Sequence, residues 1–438
     1  MTYKKVFIKT FGCQMNEYDS ERIWQVLQLH GYQRVSSPRE AGVIVINTCA
    51  VREKAESKIY SEIGRIRKLK ETRPDLRICI VGCLAQLLGT RLIQRYPHID
   101  FVLGTKQLFA LPELLEQHSQ QSPYALLDMT TVPISYPALP CPSDGHVSAF
   151  VTIMQGCNNY CSYCIVPYVR GHEWSRPPHE IIQEVEGLIK QGVREVTLLG
   201  QNVNAYGKTL RPPLRFSELL AQLDVLPGVE RIRFTTSHPR DLTDDLISCF
   251  TTLQTVCEHI HLPLQSGSNT VLARMNRGYT REAYEEKVYL LRQAVPHISI
   301  TSDIIVGFPG EQEQDFEETR ACIEKLQFDD LFIFHYSQRT GTVAATYSDT
   351  IPYHEKIRRL KILNELQQSI SLSKNRELIG KTLPVLFESQ AKKGEDMIAG
   401  RTRTGKVVNC KGTGDIIGTT RNVLIEQATV HSLTGLIL

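Results

Sequence analysis

Three cysteines within eight residues, Cys157-Asn158-Asn159-Tyr160-Cys161-Ser162-Tyr163-Cys164, constrain this chain more than any other stretch. The C-x3-C-x2-C run follows an apolar, strand-like lead over 149–154. Soft thiolates packed this closely can hold three corners of a [4Fe–4S] cube. No further cysteine occurs between positions 165 and 248, so one iron of such a cube is left to a ligand from outside the chain. A cluster of that kind suits chemistry as well as electron transfer. A structural zinc knuckle with a distant fourth ligand is the alternative, although structural zinc ordinarily shows paired C-x2-C knuckles.

The other cysteines sort by context. The first residues, Met1-Thr2-Tyr3-Lys4-Lys5-Val6-Phe7-Ile8, hold too short an apolar run for a signal peptide, and no stretch approaches membrane-spanning length. The chain is therefore expected in the cytoplasm, with no membrane association, and its 12 cysteines as thiols rather than disulfides. Cys79, Cys249, Cys257, Cys322 and Cys410 sit in apolar or helical patterns and read as small buried hydrophobes. Cys141 lies in a Pro-rich stretch and reads as incidental. Cys13, Cys49 and Cys83 remain.

The 438 residues allow two or three domains. Strand-like runs at 6–10, 43–47, 78–81 and 101–103 alternate with helical patterns, as in βαβ units. Asn16 is the expected cap of a helix running to His30 and ended by Gly31. Further helices are predicted over 53–70, stopped before Pro74, and over 84–95. Cys13, Cys49 and Cys83 each come just past the carboxyl end of one of these strands. In an open parallel sheet those ends share one edge, where ligands bind, and Gly12 and Gly82 permit tight turns there. The spacing predicts a second three-thiol cluster with a free iron; three unrelated buried cysteines are the alternative.

Residues 118–147, rich in Ser, Gln and Pro, read as a linker region. The domains are placed at 1–125, 148–375 and 376–438, with 126–147 as the linker. In the central domain, strands are predicted at 149–154, 195–199, 231–235, 259–264, 299–306 and 330–334, with an amphipathic helix over 179–191. Successive strands end in polar or Gly-rich tips, and in parallel α/β folds the carboxyl ends of the strands carry the functional face. His238, His259 and His261 read as satisfied polar residues at strand ends rather than as metal ligands. A basic helix over 353–380, carrying Lys356, Arg358, Arg359 and Lys361, leads out of the barrel. Short segments at 383–387, 397–403, 407–408, 416–417, 423–425 and 433–438 predict a small antiparallel barrel. The net charge of +3 allows a nucleic-acid surface only as a local patch. Arg401, Arg403, Lys406, Lys411 and Arg421 crowd the middle of the last domain and suit phosphate contacts.

Two whole motifs, Thr10-Phe11-Gly12-Cys13-Gln14-Met15-Asn16 and Val81-Gly82-Cys83-Leu84-Ala85-Gln86, join the six cysteines in a joint pattern. Over essentially the whole chain that pattern resembles the methylthiotransferases of the radical S-adenosylmethionine (SAM) superfamily. The resemblance implies an α/β chain: an N-terminal open parallel βαβ domain, a partial (β/α)6 radical SAM barrel and a C-terminal RNA-binding β-barrel called TRAM. It implies two [4Fe–4S] clusters, on Cys13, Cys49 and Cys83 and on Cys157, Cys161 and Cys164, with SAM on the open iron of the second. Gly200, Gln201, Asn202, Ser237, Gln265, Asp303 and Gly307 become the expected SAM-facing rim, Tyr163 a stacking candidate, and Arg274 or Arg277 a partner for the SAM carboxylate.

The activity implied is transfer of a methylthio group to carbon 2 of an isopentenylated adenosine beside the tRNA anticodon. Two SAM are used, one to methylate sulfur and one as the radical source. Such an aryl C–H offers no acidic proton, so no acid–base dyad is expected. A flavodoxin or ferredoxin is the expected electron donor, and the enzyme is expected to be a monomer. A sister enzyme acting on threonylcarbamoyladenosine in tRNA or on a ribosomal-protein aspartate is an alternative, although the context from Gly12 to Asn16 favours the isopentenyl substrate. A non-catalytic metal-binding RNA module, or an enzyme using its first domain only for electron relay, are the others.

Overall fold

A strand whose residues are all buried needs cover on both faces, and the first sheet supplies it. The computed structural model describes residues 4–50, 53–117, 123–129, 146–391, 394 and 396–438. Cys141 and most of the expected linker lie outside them. The first sheet is entirely parallel, in the order β2-β1-β3-β4-β5-β6. Its strands are β1 (Lys5–Thr10), β2 (Gln33–Arg34), β3 (Val43–Thr48), β4 (Arg77–Gly82), β5 (Phe101–Leu103) and β6 (Tyr124–Leu126). The helices are α1 (Gln14–Leu29), α2 (Glu53–Thr72), α3 (Cys83–Leu88), α4 (Thr90–Arg95) and α5 (Leu111–Gln117). Val43 and Val45 of β3 face one core with Ile23, Trp24 and Leu27 of α1. Ile44 and Ile46 face the other, with Ile59 and Ile63 of α2. That second core also takes Ile165 and Val169, at the start of and within a later short helix, α6 (Val166–Arg170).

Three local details depart from expectation. Asn16 is not the cap of α1: Cys13 is, and the Asn16 side chain turns back to donate to the Phe11 carbonyl at 2.8 Å. The helix expected over 84–95 breaks into α3 and α4 at Gly89, whose φ of 53° a helix cannot use. Two edge strands, β2 and β6, escape the sequence pattern: β2 is a polar, exposed pair of residues, and β6 falls within the stretch read as linker.

The chain packs as two compact units. One comprises Met1–Pro142, Gln155–Asn158 and Cys164–Trp174; the other comprises Ser143–Met154, Asn159–Tyr163 and Ser175–Leu438. The two-residue strands β8 (Met154–Gln155) and β9 (Trp174–Ser175) mark the chain on either side of the cysteine run.

The second unit contains the six expected central strands, all parallel. Preceded by β7 (Ser148–Thr152), they continue as β10 (Glu195–Leu199), β11 (Arg231–Phe234), β12 (His259–His261), β13 (Ser299–Val306) and β14 (Asp330–His335). They form two three-stranded sheets, β7-β10-β11 and β12-β13-β14. A bridge between Ile232 and Val256 carries the pairing from the first to the second. Helices α7 (Pro178–Lys190), α8 (Phe216–Asp224), α9 (Asp244–Thr252), α10 (Asn269–Arg274), α11 (Arg281–Ala294) and α12 (Glu313–Leu326) alternate with them. The long α13 (Tyr353–Arg376) then leads away, with Arg358 and Lys361 exposed but Lys356 and Arg359 buried. Lys356 and Arg359 are 6% and 5% exposed; Lys356 pairs with Asp349, and Arg359 reaches Glu311 at 2.6 Å.

The last strands, β15 (Thr382–Gln390), β16 (Met397–Thr402), β17 (Val407–Lys411), β18 (Thr420–Ala428) and β19 (Leu433–Ile437), close a barrel in the order β15-β16-β17-β19-β18. Its core is Val385, Phe387, Ile398, Val408, Cys410, Val423, Ile425 and Leu433. Ile416-Ile417, expected as a strand, is instead a turn closed by the Ile417 amide on the Gly414 carbonyl at 3.2 Å and tied to β15 by the Gly418 amide on the Phe387 carbonyl at 2.9 Å. The hairpin between β16 and β17 sits against the amino-terminal ends of the larger barrel's strands. Arg231 donates to the Arg401 and Pro384 carbonyls at 2.6 and 3.3 Å, and Arg233 to the Arg403 and Thr402 carbonyls at 2.7 Å each.

Candidate functional site

The order of the first sheet reverses at β1, since β2 lies on one side and β3 on the other. In open α/β sheets such a switch leaves a crevice at the carboxyl edge, and ligands bind there. Cys13 caps α1 beyond β1, Cys49 follows β3 directly, and Cys83 opens α3 beyond β4. The register sets Thr10 beside Asn47 and Thr48 beside Gly82. The three cysteines, more than thirty positions apart in sequence, thus leave one sheet edge on adjacent strands.

Close approach explains the neighbouring glycine. Gly12 has a φ of 128°, and a Cβ there would lie 2.5 Å from the Cys49 Cβ. Gly12→Ala is expected to push Cys49 off its position and to cut bound iron by about half, which an iron assay on the reconstituted full chain would read. A hydrogen bond with Cys49 is the chief reason the Cys13 thiol is lowered to about 6; burial opposes it and the charge of Arg170 assists. Burial pushes the Cys83 thiol up, with Arg170 pulling the other way. Cys49 and Cys83 are 1% and 4% exposed. Asn47 is fully buried and donates to Asn16 O and Ser20 Oγ at 2.9 and 3.0 Å, leaving its Oδ1 without a partner.

Cys157, Cys161 and Cys164 lie on the irregular segment between β8 and α6. The Cys157 amide donates to the Gly171 carbonyl at 3.2 Å. Around Cys161 the neighbours are different. Arg277 Nη1 donates to Cys161 Sγ at 3.2 Å, while its other nitrogens bond Pro263 O and Tyr279 Oη at 3.1 and 3.0 Å. The guanidinium is 5% exposed, so it is a fixed donor on that sulfur. Among the described residues, no three His, Cys, Asp or Glu are gathered tightly enough to hold a single metal ion. A cube takes one thiolate per iron, so its ligands stand further apart than those of one ion.

The carboxyl ends of the six central strands form the rim. Asn202 (2% exposed), Ser237 and Gln265 are buried there, and Asn202 Oδ1, Ser237 Oγ and Gln265 Oε1 have no partner. Asn202 Nδ2 is anchored on Asp241 at 2.8 Å. Gln265 has a φ of 75° and Thr236 one of 69°; for a β-branched residue such a value is a true outlier, of the kind held at functional sites. Asp303 pairs with His261 at 3.5 Å. Gly200 packs its backbone on Met154, and Gln201 is half-buried beside it. Gly307 turns at a φ of 68° against the Lys356 side chain, its amide held by Glu311 at 3.1 Å. Tyr163 packs against Val271, Met275 and Phe308, with its hydroxyl 3.5 Å from Arg277. Arg274 is exposed and lies over the Tyr347 ring, so Arg277 is the guanidinium placed on a cysteine.

His238 and His259 are less satisfied than expected: His238 Nε2 and His259 Nδ1 have no partner. Burial, aided by the charge of Arg277, holds His238 down to about 3. Unfolded, it would titrate near 6.5, so this group costs nothing above that pH. Below it the unfolded chain gains a proton that the folded chain refuses, a loss of about 1.4 kcal/mol per pH unit until the folded value is reached. His238→Asn is expected to flatten the fall in urea midpoint from neutral to about pH 5.

The five basic residues of the last domain separate. Arg403 is bound to Glu258 at 2.8–3.0 Å and to Val256 O, and Lys406 reaches Asp329 at 3.3 Å. Arg401 is half-exposed and 3.4 Å from Glu388, while Lys411 and Arg421 are exposed.

Three thiols, Cys49 and Cys83 buried and Cys13 half-buried, at a switch-point crevice are the donors an iron–sulfur cube with one open iron needs, and the orphaned acceptors of the rim suit a nucleoside's amino and hydroxyl groups. Family models match residues 5–104 (uncharacterized protein family UPF0004), 151–323 (radical SAM superfamily) and 376–438 (TRAM domain). Among solved structures, the radical SAM methyltransferase TsrM from Kitasatospora setae, with cobalamin and a [4Fe–4S] cluster bound, shares the fold. Its TM-score is 0.56 at 12% identity, over 90% of this chain and 80% of that one. Fold and site together define a radical SAM enzyme. The chain is 48% identical, over 99% of its length and 94% of the relative's, to a protein of Syntrophus aciditrophicus named tRNA-2-methylthio-N(6)-dimethylallyladenosine synthase. It is 46% identical over 100% of both chains to one of the same name from Carboxydothermus hydrogenoformans. The chain belongs to the tRNA-2-methylthio-N(6)-dimethylallyladenosine synthase family.

Proposed function

We propose that this enzyme methylthiolates carbon 2 of N6-isopentenyladenosine next to the anticodon of tRNA, with two [4Fe–4S] clusters and two SAM per turnover. What carries this reading is a second trio, Cys13, Cys49 and Cys83, in a chain that also bears the radical SAM cysteines and is 48% identical to a protein named for this product. Cys157, Cys161 and Cys164 would hold the radical cluster and the other trio the sulfur-handling one. When bound, these groups supply the radical that removes hydrogen and the sulfur that replaces it.

The chain's own residues bind and orient. Asn202, Ser237 and Gln265 offer buried acceptors to SAM, with Gly200, Gln201, Asp303 and Gly307 beside them on the rim. Tyr163 offers a ring face, and Arg277, rather than the exposed Arg274, a guanidinium. An aryl C–H has no acidic proton to remove, so no side chain need act as a general base. A base in an anticodon loop is unpaired and can be splayed into a pocket. On the small barrel, Arg401, Lys411 and Arg421 are left to meet tRNA phosphates, since Arg403 and Lys406 are engaged within the chain. Among the described residues, no helix is long and apolar enough to cross a membrane. The proposal includes a cytoplasmic monomer reduced by a flavodoxin or ferredoxin.

Nucleoside analysis of tRNA from a strain lacking the gene tests this. The methylthiolated isopentenyladenosine should vanish and unmodified isopentenyladenosine should accumulate. Persistence of the methylthiolated base would overturn the assignment, and loss of a methylthiolated threonylcarbamoyladenosine instead would point to the sister activity.

A further inference from the structure

A buried guanidinium ordinarily has its N–H groups bonded, because a donor cut off from water and left unmet is costly. Arg170, the last residue of α6 and 3% exposed, departs from this. Its Nη2 donates to Asp19 Oδ2 at 2.7 Å and to Asn16 Oδ1 at 3.2 Å, but Nη1 has no hydrogen-bond partner. Asp19 is 1% exposed and Asn16 fully buried, and both lie on the first turns of α1, the helix that Cys13 caps. The Arg170 side chain comes within hydrogen-bonding reach of the Cys83 thiol, and its charge is felt at both Cys13 and Cys83. The side chain is also well anchored: Ile165 and Val169 are buried in the core beneath the first sheet, and Val169 O accepts from Thr105 Oγ1 at 2.5 Å.

We propose that Arg170 is a positioning residue for the cluster on Cys13, Cys49 and Cys83, its Nη1 donating to a sulfur of that cluster. The inference rests on the reading of this trio as a [4Fe–4S] site. One carboxylate offsets the arginine's charge, and an anionic cube with thiolate ligands is the group that would use the spare donor. Hydrogen bonds and positive charge at cluster sulfurs raise the reduction potential. Arg170 lies six residues after Cys164, so the segment that carries a ligand of the radical cluster would also tune the other cluster.

The test uses the full chain with Cys157, Cys161 and Cys164 all replaced by alanine, reconstituted anaerobically and titrated electrochemically with detection by electron paramagnetic resonance. Arg170→Gln should shift the midpoint to more negative potential and alter the signal of the reduced cluster, while iron content and thermal melting stay at the parent's values. Arg170→Lys should fall between. Asp19→Asn, which leaves the arginine's charge uncompensated, should shift the midpoint the opposite way. If Arg170→Gln fails to retain iron, Asp19→Asn decides: a positive shift supports the role, and no shift or a negative one overturns it. Unmoved potentials in iron-loaded variants overturn the role of Arg170 alone. A parent that takes up no iron overturns the cluster reading and this inference with it.

Discussion

Replacing Cys13, Cys49 or Cys83 with alanine is expected to leave the reconstituted enzyme with about four iron atoms per chain instead of about eight, and with no methylthiolated product. SAM cleavage to 5′-deoxyadenosine should persist, because the ligands of the other cluster are untouched. The sheet gives the reason the neighbouring thiol cannot substitute. Cys79, the nearest in sequence to Cys83, is fully buried among Val43, Val45 and Phe101 in the core under α1, not at the carboxyl edge. Alanine should be tolerated structurally at Cys13 and Cys49, which lie past the strand ends and outside both cores, and should cost somewhat more at Cys83, which packs in the core with Ile44 and Ile46. Iron and sulfide assays with chromatography of both products read the result. Full iron content and unchanged turnover in any one of the three variants would refute a second cluster.

Arg233→Met is expected to destabilise the chain by about 3–5 kcal/mol, the usual cost of stripping one partner from a buried ion pair. Arg233 bonds Glu195 at 2.8 Å, and Glu195 is 3% exposed. Without Arg233 that carboxylate keeps only Arg231, at 3.9 Å. The same substitution frees the Thr402 and Arg403 carbonyls, so the small barrel should become the first site of proteolytic nicking. Arg401→Met is the control: its side chain is half-exposed and pairs loosely with Glu388, and surface pairs of this kind are worth about 0–1 kcal/mol. Urea unfolding and limited proteolysis distinguish the two, and an Arg233 variant as stable as the parent would show that the docking is not held this way.

The cysteines and the principal strands were legible because each is a local signal. Soft ligands at short spacing, and apolar runs bounded by Gly or polar tips, keep their meaning without knowledge of what packs on them. Asn16 misled because a cap is set by where the chain turns, and the turn at Gly12 puts Cys13 in that position. Gly89 split a helix that periodicity had made continuous. Arg170, Arg231 and Arg233 carried no signal of their own: a lone arginine in a sequence reads as surface, and only the fold shows it buried. The cluster from Arg401 to Lys406 looked like one basic patch, yet the hairpin turns Arg403 and Lys406 toward acidic partners on the larger barrel.

Where that hairpin is seated sets a length. The hairpin is gripped by Arg231 and Arg233 of β11, and its Arg403 holds Val256 and Glu258 ahead of β12, whereas Ser237 and Gln265 stand past the carboxyl ends of β11 and β12. The six residue steps from Arg231 to Ser237, at about 3.3 Å each, put at most roughly 20 Å between the two levels. If Arg421 and Lys411 hold the tRNA as proposed, its loop has that distance to cover before it reaches the rim. The two barrels would then act as a caliper, admitting an adenosine at a matching distance from the stem they grasp.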